Sequence, residues 1–282
     1  MKKKDIKLHK RIYENNEKID PNFIFKPRVQ CLDFLHKNFY KIKGRILDIG
    51  AGNGYASIYT ALKFKNVKET VSLEYLNDAK KNIKKNISFF NLENKCKIKI
   101  GSFDSTIFKD KFNLIISFGS LHHSKCLYST LRNLRKNLHK DGMILAHEPM
   151  TPDNTSNKRL NDFYNKIENI NGVKIKKKDR NDSFFRKGEY LTAINFLDFE
   201  VLYFAPFNPK LKKKLLHKII YNIKNKGINN TLKITIKYLY DNLKNKFLKK
   251  ELFNNSDLYV ESILFVLKKK NSNLIPHKWK HL

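Results

Sequence analysis

The amino-acid pattern predicts an α/β fold, a parallel sheet with helices on both faces, and three observations lead there. Short apolar runs, Arg45-Ile-Leu-Asp-Ile49 and Phe112 to Phe118, have the length and composition of buried strands. Stretches with apolar residues at helical spacing separate such runs. A turn holding three glycines follows the first strand directly and opens a helix. Strand–helix alternation at this spacing is the mark of a parallel sheet.

The elements follow in order. Residues 1–27 are polar, end at Pro27 and read as an arm. Residues 28–40 set Val29, Leu32, Leu35 and Phe39 at steps of three and four, a helix. Together 1–40 form an N-terminal arm and helix, and 41–282 a single domain carrying two insertions. Within it the pattern predicts helices over 54–65, 78–90, 127–138 and 189–197. It predicts strands over 45–49, 71–74, 97–100, 112–118, 143–147, 199–204 and 258–267. Gly142 reads as the stop of the 127–138 helix. From Pro149 the rhythm breaks, and 150–185 reads as an insertion with a polar helix, poised over the strand ends. The second insertion, 206–256, places Leu211, Leu215, Leu216, Ile219, Ile220 and Ile223 on one helical face, with lysines largely elsewhere.

With 41% hydrophobic residues the chain can build a core. Its net charge is +32, from 58 Lys and Arg against 26 Asp and Glu. The arginines are Arg11, Arg28, Arg45, Arg132, Arg135, Arg159, Arg180 and Arg186; the other cations are lysines spread along the chain. Two readings stay open: solvated lysines without a polyanionic partner, or attraction to an anionic membrane or substrate. Cys31, Cys96 and Cys126 lack metal-ligand spacing and fit a reducing, cytoplasmic setting. No apolar stretch of a secretory signal follows the basic start, and no run is long enough to span a bilayer.

The glycine turn, Asp48-Ile-Gly-Ala-Gly-Asn-Gly54, carries the chemistry. Such a turn at the end of a first parallel strand is where doubly wound folds bind nucleotides. Gly50 and Gly52 suit a dinucleotide fingerprint, but Tyr55 stands where its third glycine belongs. No Gly-Lys-Ser/Thr of a phosphate loop is present. The turn therefore favours a ligand without a pyrophosphate. Asp48, ionised, would attract a cationic ligand centre. Glu74, in Ser72-Leu-Glu-Tyr75, can accept both hydroxyls of a ribose.

Ile46-Leu-Asp-Ile-Gly-Ala-Gly-Asn-Gly54 resembles motif I of class I S-adenosylmethionine-dependent methyltransferases. Glu74 matches that family's ribose-binding acid, with Tyr75 beside it. Gly101-Ser-Phe-Asp104 matches the adenine-side loop, so Ser102, Phe103 and Asp104 join the expected cofactor set; an Asp is common where this chain has Ser102. Phe112-Asn-Leu-Ile-Ile-Ser-Phe-Gly-Ser-Leu-His-His123 resembles the fourth strand of the small-molecule branch, with Phe118 next to the cofactor. Lys140-Asp-Gly-Met-Ile-Leu-Ala-His-Glu-Pro149 resembles its fifth-strand motif. The resemblance implies a Rossmann-like, seven-stranded, mostly parallel sheet with the last strand antiparallel, and S-adenosyl-L-methionine as cofactor.

It also implies in-line SN2 transfer, in which the protein holds a nucleophile about 3–3.5 Å from the methyl carbon. A histidine suits the removal of a hydroxyl proton. His122 and His123 end the fourth strand; His147 and Glu148 end the fifth. All four are candidate catalytic residues. In an extended segment only one of His122 and His123 would face the pocket. His9, His36, His139, His217, His277 and His281 lack motif context and read as surface. No metal site is expected. Tyr13 and its arm would close over the cofactor.

The expected acceptor is a small molecule or glycan, methylated on oxygen, with the insertions building its pocket. Nucleic acid is not the expected partner: the Asn/Asp-Pro-Pro-Tyr/Phe motif of base amino-group methyltransferases is replaced by Phe118-Gly-Ser-Leu-His122. The 211–223 helix supplies a third reading, peripheral membrane contact, which would suit a lipid-like or quinone-precursor acceptor.

Overall fold

The computed structural model describes residues 27–165, 167–170, 173–176, 183, 185–207 and 261–270. In chain order the elements are α1 (Gln30–Asn38), β1 (Gly44–Ile49), α2 (Tyr55–Lys63), β2 (Val67–Glu74), α3 (Asn77–Phe89), β3 (Cys96–Ile100), β4 (Phe112–Phe118), α4 (Leu127–Asn137) and β5 (Leu138–Met150). They continue with α5 (Asn157–Asn165), β6 (Ile167–Ile170), β7 (Val173–Lys176), α6 (Lys187–Phe196), β8 (Phe199–Pro206) and β9 (Glu261–Lys269). Seven strands form one sheet in the order β3-β2-β1-β4-β5-β9-β8. Strands β1 to β5 pair in parallel, and β9 runs antiparallel to both neighbours. This is the Rossmann-like, seven-stranded arrangement expected, with the last strand reversed.

Side chains alternate across a strand, and β1 shows the result. Ile46 joins Leu114, Ile116 and Leu145 under α1, α2 and α3 on one face. Leu47 and Ile49 join Ile115, Ile144 and Ala146 under α4 and α6 on the other. All nine are fully buried, and burying a large aliphatic side chain contributes roughly 1.5–3 kcal/mol. Covering both faces is what lets such a strand read as a continuous apolar run.

Several sequence readings change. β2 starts at Val67 rather than 71, because Gly44 pairs with Val67 and Arg45 with Glu69, whose carboxylate the Arg45 guanidinium grips at 2.7 and 2.9 Å. Gly142 is not the stop of a helix. α4 ends at Asn137 and β5 begins at Leu138. The ladder then jumps from Phe112↔Leu138 to Leu114↔Met143, an irregularity that folds 139–142 out of register. A Cβ on Gly142 would sit 2.9 Å from Phe112 O and 3.0 Å from His139 O, so a glycine is needed for close backbone approach there. The first insertion contains, besides its helix α5, the antiparallel pair β6–β7. His36 is half-buried rather than on the surface: it accepts the Ile42 N–H at 3.1 Å and stacks on Phe64.

No helix among the described residues is long and apolar enough to cross a membrane. The expectations for the arm with Tyr13, the 211–223 helix, and His9, His217, His277 and His281 fall outside the described residues.

Candidate active site

The sheet order reverses direction between β1 and β4, so the loops leaving their carboxyl ends diverge and open a crevice. The glycine bend lies at that point. Gly50, Gly52 and Gly54 all have left-handed backbones, with φ of 57°, 57° and 76°. A side chain there is strained, which explains why glycine recurs at every second position. The bend is tied down from several sides. Ala51 N–H donates to Leu73 O at 3.2 Å, Gly52 N–H to Glu74 Oε2 at 2.9 Å, and Asn86 Nδ2 to Asn53 O at 2.9 Å.

Glu74 is 7% exposed. Its Oε1 accepts the N–H groups of Tyr75 and Leu76 at 2.8 and 3.4 Å. Burial raises its pKa, opposed by these backbone hydrogen bonds. Asp48 faces the start of α2: its Oδ2 accepts the Ser57 N–H at 3.1 Å and the Ser57 hydroxyl at 3.0 Å, and Ser72 in turn donates to Ser57 Oγ at 2.8 Å. Burial pushes its pKa up to about 7, against the lowering effect of Ser57. The sequence reading had Asp48 simply ionised; desolvation disfavours that charge. An acid with a raised folded pKa keeps its proton longer when folded, so folding loses stability as pH rises between the two values. The wild type should therefore lose stability relative to Asp48→Asn between about pH 4 and about pH 7, the window set by the ordinary and shifted values, as measured by urea denaturation across pH.

Tyr75 is partly exposed, at 44%, beside Glu74. The 101–108 loop is fastened to α4: Asn133 Nδ2 donates to Phe103 O and Thr106 O, Asn137 Nδ2 to Thr106 O, and Thr130 to Asp104. The Asp104 carboxylate thus turns toward α4, while Ser102 Oγ accepts the Asp104 N–H at 3.2 Å.

At the end of β4, Arg28 Nη1 donates to Phe118 O at 2.9 Å and lies against Gly119, whose φ is 75°. No carboxylate pairs with Arg28 among the described residues. Ser120 Oγ donates weakly, at 3.4 Å, to Gly50 O. Leu121–His123 then form a 3-10 turn rather than an extended segment. Side chains in such a turn advance by about a third of a revolution instead of alternating. His122 and His123 accordingly do not point apart; their rings lie 4.0 Å from each other. His147 and Glu148 do take opposite faces of the sheet. His147 lies 6.3 Å from Phe207, its pKa lowered by burial and then by Arg28, and its buried Nε2 has no hydrogen-bond partner among the described residues. Glu148, fully buried, contacts His122 Nδ1 at 3.1 Å through Oε2. Its Oε1 accepts from Ser117 Oγ at 2.6 Å and Ser120 N–H at 3.0 Å. Burial alone would raise its pKa, but His122, Ser117 and Ser120 together hold it below the ordinary value.

The sequence reading missed Arg28, Ser57, Ser117, Ser120, Asn133 and Asn137. Each acts over a span of chain that local patterns do not report. Only the Ser flanking Phe118-Gly119 lay inside a quoted motif.

A sheet of this order with its final strand reversed, and a left-handed glycine bend beside a buried Glu at the switch point, defines a class I S-adenosylmethionine-dependent methyltransferase. Residues 41–196, more than half of the chain, match the profile of the methyltransferase domain. The chain belongs to that family. No curated protein sequence matches it. Among solved structures it is similar to a candidate sarcosine dimethylglycine methyltransferase from Galdieria sulphuraria, with TM-score 0.62 and 13% identity over 93% of this chain and 98% of that one. It is also similar to the geranyl diphosphate C-methyltransferase of Streptomyces coelicolor, solved with S-adenosyl-L-homocysteine (0.56, 11%, 85% and 75%). A third is the O-methyltransferase of a trans-AT PKS multienzyme of Brevibacillus brevis, also solved with S-adenosyl-L-homocysteine (0.54, 16%, 90% and 82%). At these identities the likeness is one of fold.

Proposed function

We propose that the protein methylates a hydroxyl of a small-molecule or glycan acceptor. The acceptor oxygen attacks the methyl carbon in line with the C–S bond, whose electron pair leaves on sulfur to give S-adenosyl-L-homocysteine. A histidine takes the hydroxyl proton. The observation that carries this reading is the position of His122. It lies two residues beyond Ser120, which touches the glycine bend, so an imidazole would stand beside the cofactor's reactive end. His123 adjoins it, and His147 is the alternative base from β5.

The bend fits the adenosyl sulfonium in composition. It offers bare backbone at Gly50, Gly52 and Gly54, and a carboxylate at Glu74 whose Oε2, taking only the Gly52 N–H, retains a lone pair for a ribose hydroxyl. Tyr75, Ser102, Phe103 and Asp104 would flank the adenine, and Phe118 the methionine end. The described residues of the first insertion and those framing the second lie at the end of the sheet where acceptor would meet cofactor: Ser183 N–H donates to His122 O at 2.7 Å, and the residues framing the second insertion pair with Pro149 and Met150 or extend that ladder. This supports an acceptor pocket built from them.

Calorimetric titration with S-adenosylmethionine tests the reading first; no binding at micromolar concentrations would overturn it. Arg28, at the same end and with no carboxylate partner among the described residues, would meet the cofactor's carboxylate. Arg28→Ala should weaken S-adenosylmethionine binding about tenfold, roughly 1.4 kcal/mol. Methylthioadenosine, which lacks that carboxylate, should bind both proteins equally.

A further inference from the structure

The geometry points to Glu148 as a positioning residue that serves both halves of the site at once. Its carboxylate is fully buried and cannot reach an acceptor, so it is not a catalytic residue. Each oxygen has a separate task. Oε1 accepts the Ser117 hydroxyl and the Ser120 N–H, which fixes the loop after β4. Ser120 in turn lies on the cofactor bend: its hydroxyl faces Gly50 O, and a Cβ on Gly50 would come within 2.4 Å of Ser120 Oγ. Oε2 faces His122 Nδ1 at 3.1 Å. An ionised carboxylate only accepts, so this contact requires a proton on Nδ1. In the neutral ring the lone pair is then on Nε2, and the tautomer of His122 is set by the carboxylate that also holds the cofactor-side loop. That a histidine here removes the acceptor's proton is the reading of the preceding section, and the value of the fixed tautomer rests on it.

The variant Glu148→Gln separates the two tasks. Its amide oxygen is needed by the Ser117 and Ser120 donors, which turns its NH2 toward His122. Nδ1 must then accept, and the proton moves to Nε2. The ring state is read from long-range proton–nitrogen correlation spectra of histidine-labelled protein, with His122 assigned by its loss in His122→Gln, at a pH above the imidazole range. The wild type should show a protonated Nδ1, and Glu148→Gln a bare Nδ1 with a protonated Nε2. Affinity for S-adenosylhomocysteine should stay within about threefold, since the acceptor for Ser120 remains. A bare Nδ1 in the wild type overturns the proposal, and that measurement needs no carboxylate variant to fold. An unchanged tautomer in folded Glu148→Gln also overturns it. Failure of the wild type to bind S-adenosylhomocysteine would instead strike the methyltransferase reading, leaving the tautomer result to stand or fall by itself.

Discussion

Glu74→Ala is expected to weaken S-adenosylmethionine binding by about ten- to a hundredfold, because charge-assisted hydrogen bonds contribute roughly 1.5–3 kcal/mol. Two losses combine. The carboxylate that would accept a ribose hydroxyl disappears. The glycine bend also loses an anchor, since Gly52 N–H donates to Glu74 Oε2, while Tyr75 and Leu76 lose Oε1. Glu74→Gln keeps part of the anchoring and removes the charge. Its amide oxygen can still take the Tyr75 and Leu76 donors, but its NH2 then faces the Gly52 N–H and cannot accept from the ribose, so its affinity should fall between the wild type and the alanine variant. Titration calorimetry reads the affinity, and the thermal midpoint without ligand reads the anchoring. A change below about threefold for Glu74→Ala would remove Glu74 from the cofactor site.

The bend and Glu74 were legible from residues alone because the physics there is local. Three glycines at alternate positions meet three left-handed backbones, and an acid ends the strand next to the first one. β4 was equally plain, with Leu114, Ile115 and Ile116 buried in succession between two parallel neighbours. Elements decided by distant partners were not. Lys68 and Glu69 look unlike a buried strand, yet β2 includes them because Glu69 is held by Arg45 across the sheet. Gly142 sits where a helix stop belongs, and only the pairing of β4 with β5 shows it to be a tight backbone crossing. The β6–β7 pair had a local signal: Asn171-Gly172, a favoured hairpin dipeptide, lies between Ile170 and Val173. Within the site, the four candidate catalytic residues were readable as types at strand ends. Their grouping was not. A single turn of 3-10 helix brings the two histidines together, and the opposite faces of β5 separate His147 from Glu148. Ser117 and Ser120 are unremarkable in sequence and become important only through the buried carboxylate that they satisfy.

Gly50→Ala is the other substitution expected to act strongly, lowering S-adenosylmethionine affinity by more than about tenfold. A left-handed non-glycine residue costs about 1–2 kcal/mol by itself. At Gly50, with φ of 57°, the added Cβ would also stand 2.4 Å from Ser120 Oγ and 2.7 Å from Ser120 Cβ. Rotating the hydroxyl relieves the first contact but not the second. Ser120 is not free to retreat, because its N–H is committed to Glu148. The bend must move instead, and with it the backbone that would line the cofactor. Ser120→Gly removes both offending atoms while keeping that N–H, so the double variant should regain part of the affinity. The recovery measures the steric share directly, because the backbone strain at position 50 is common to the single and double variants. If the double variant binds no better than Gly50→Ala, strain alone accounts for the loss. If Gly50→Ala binds like the wild type, the bend does not cradle the cofactor at all, and the contact between Gly50 and Ser120 cannot couple the cofactor site to His122.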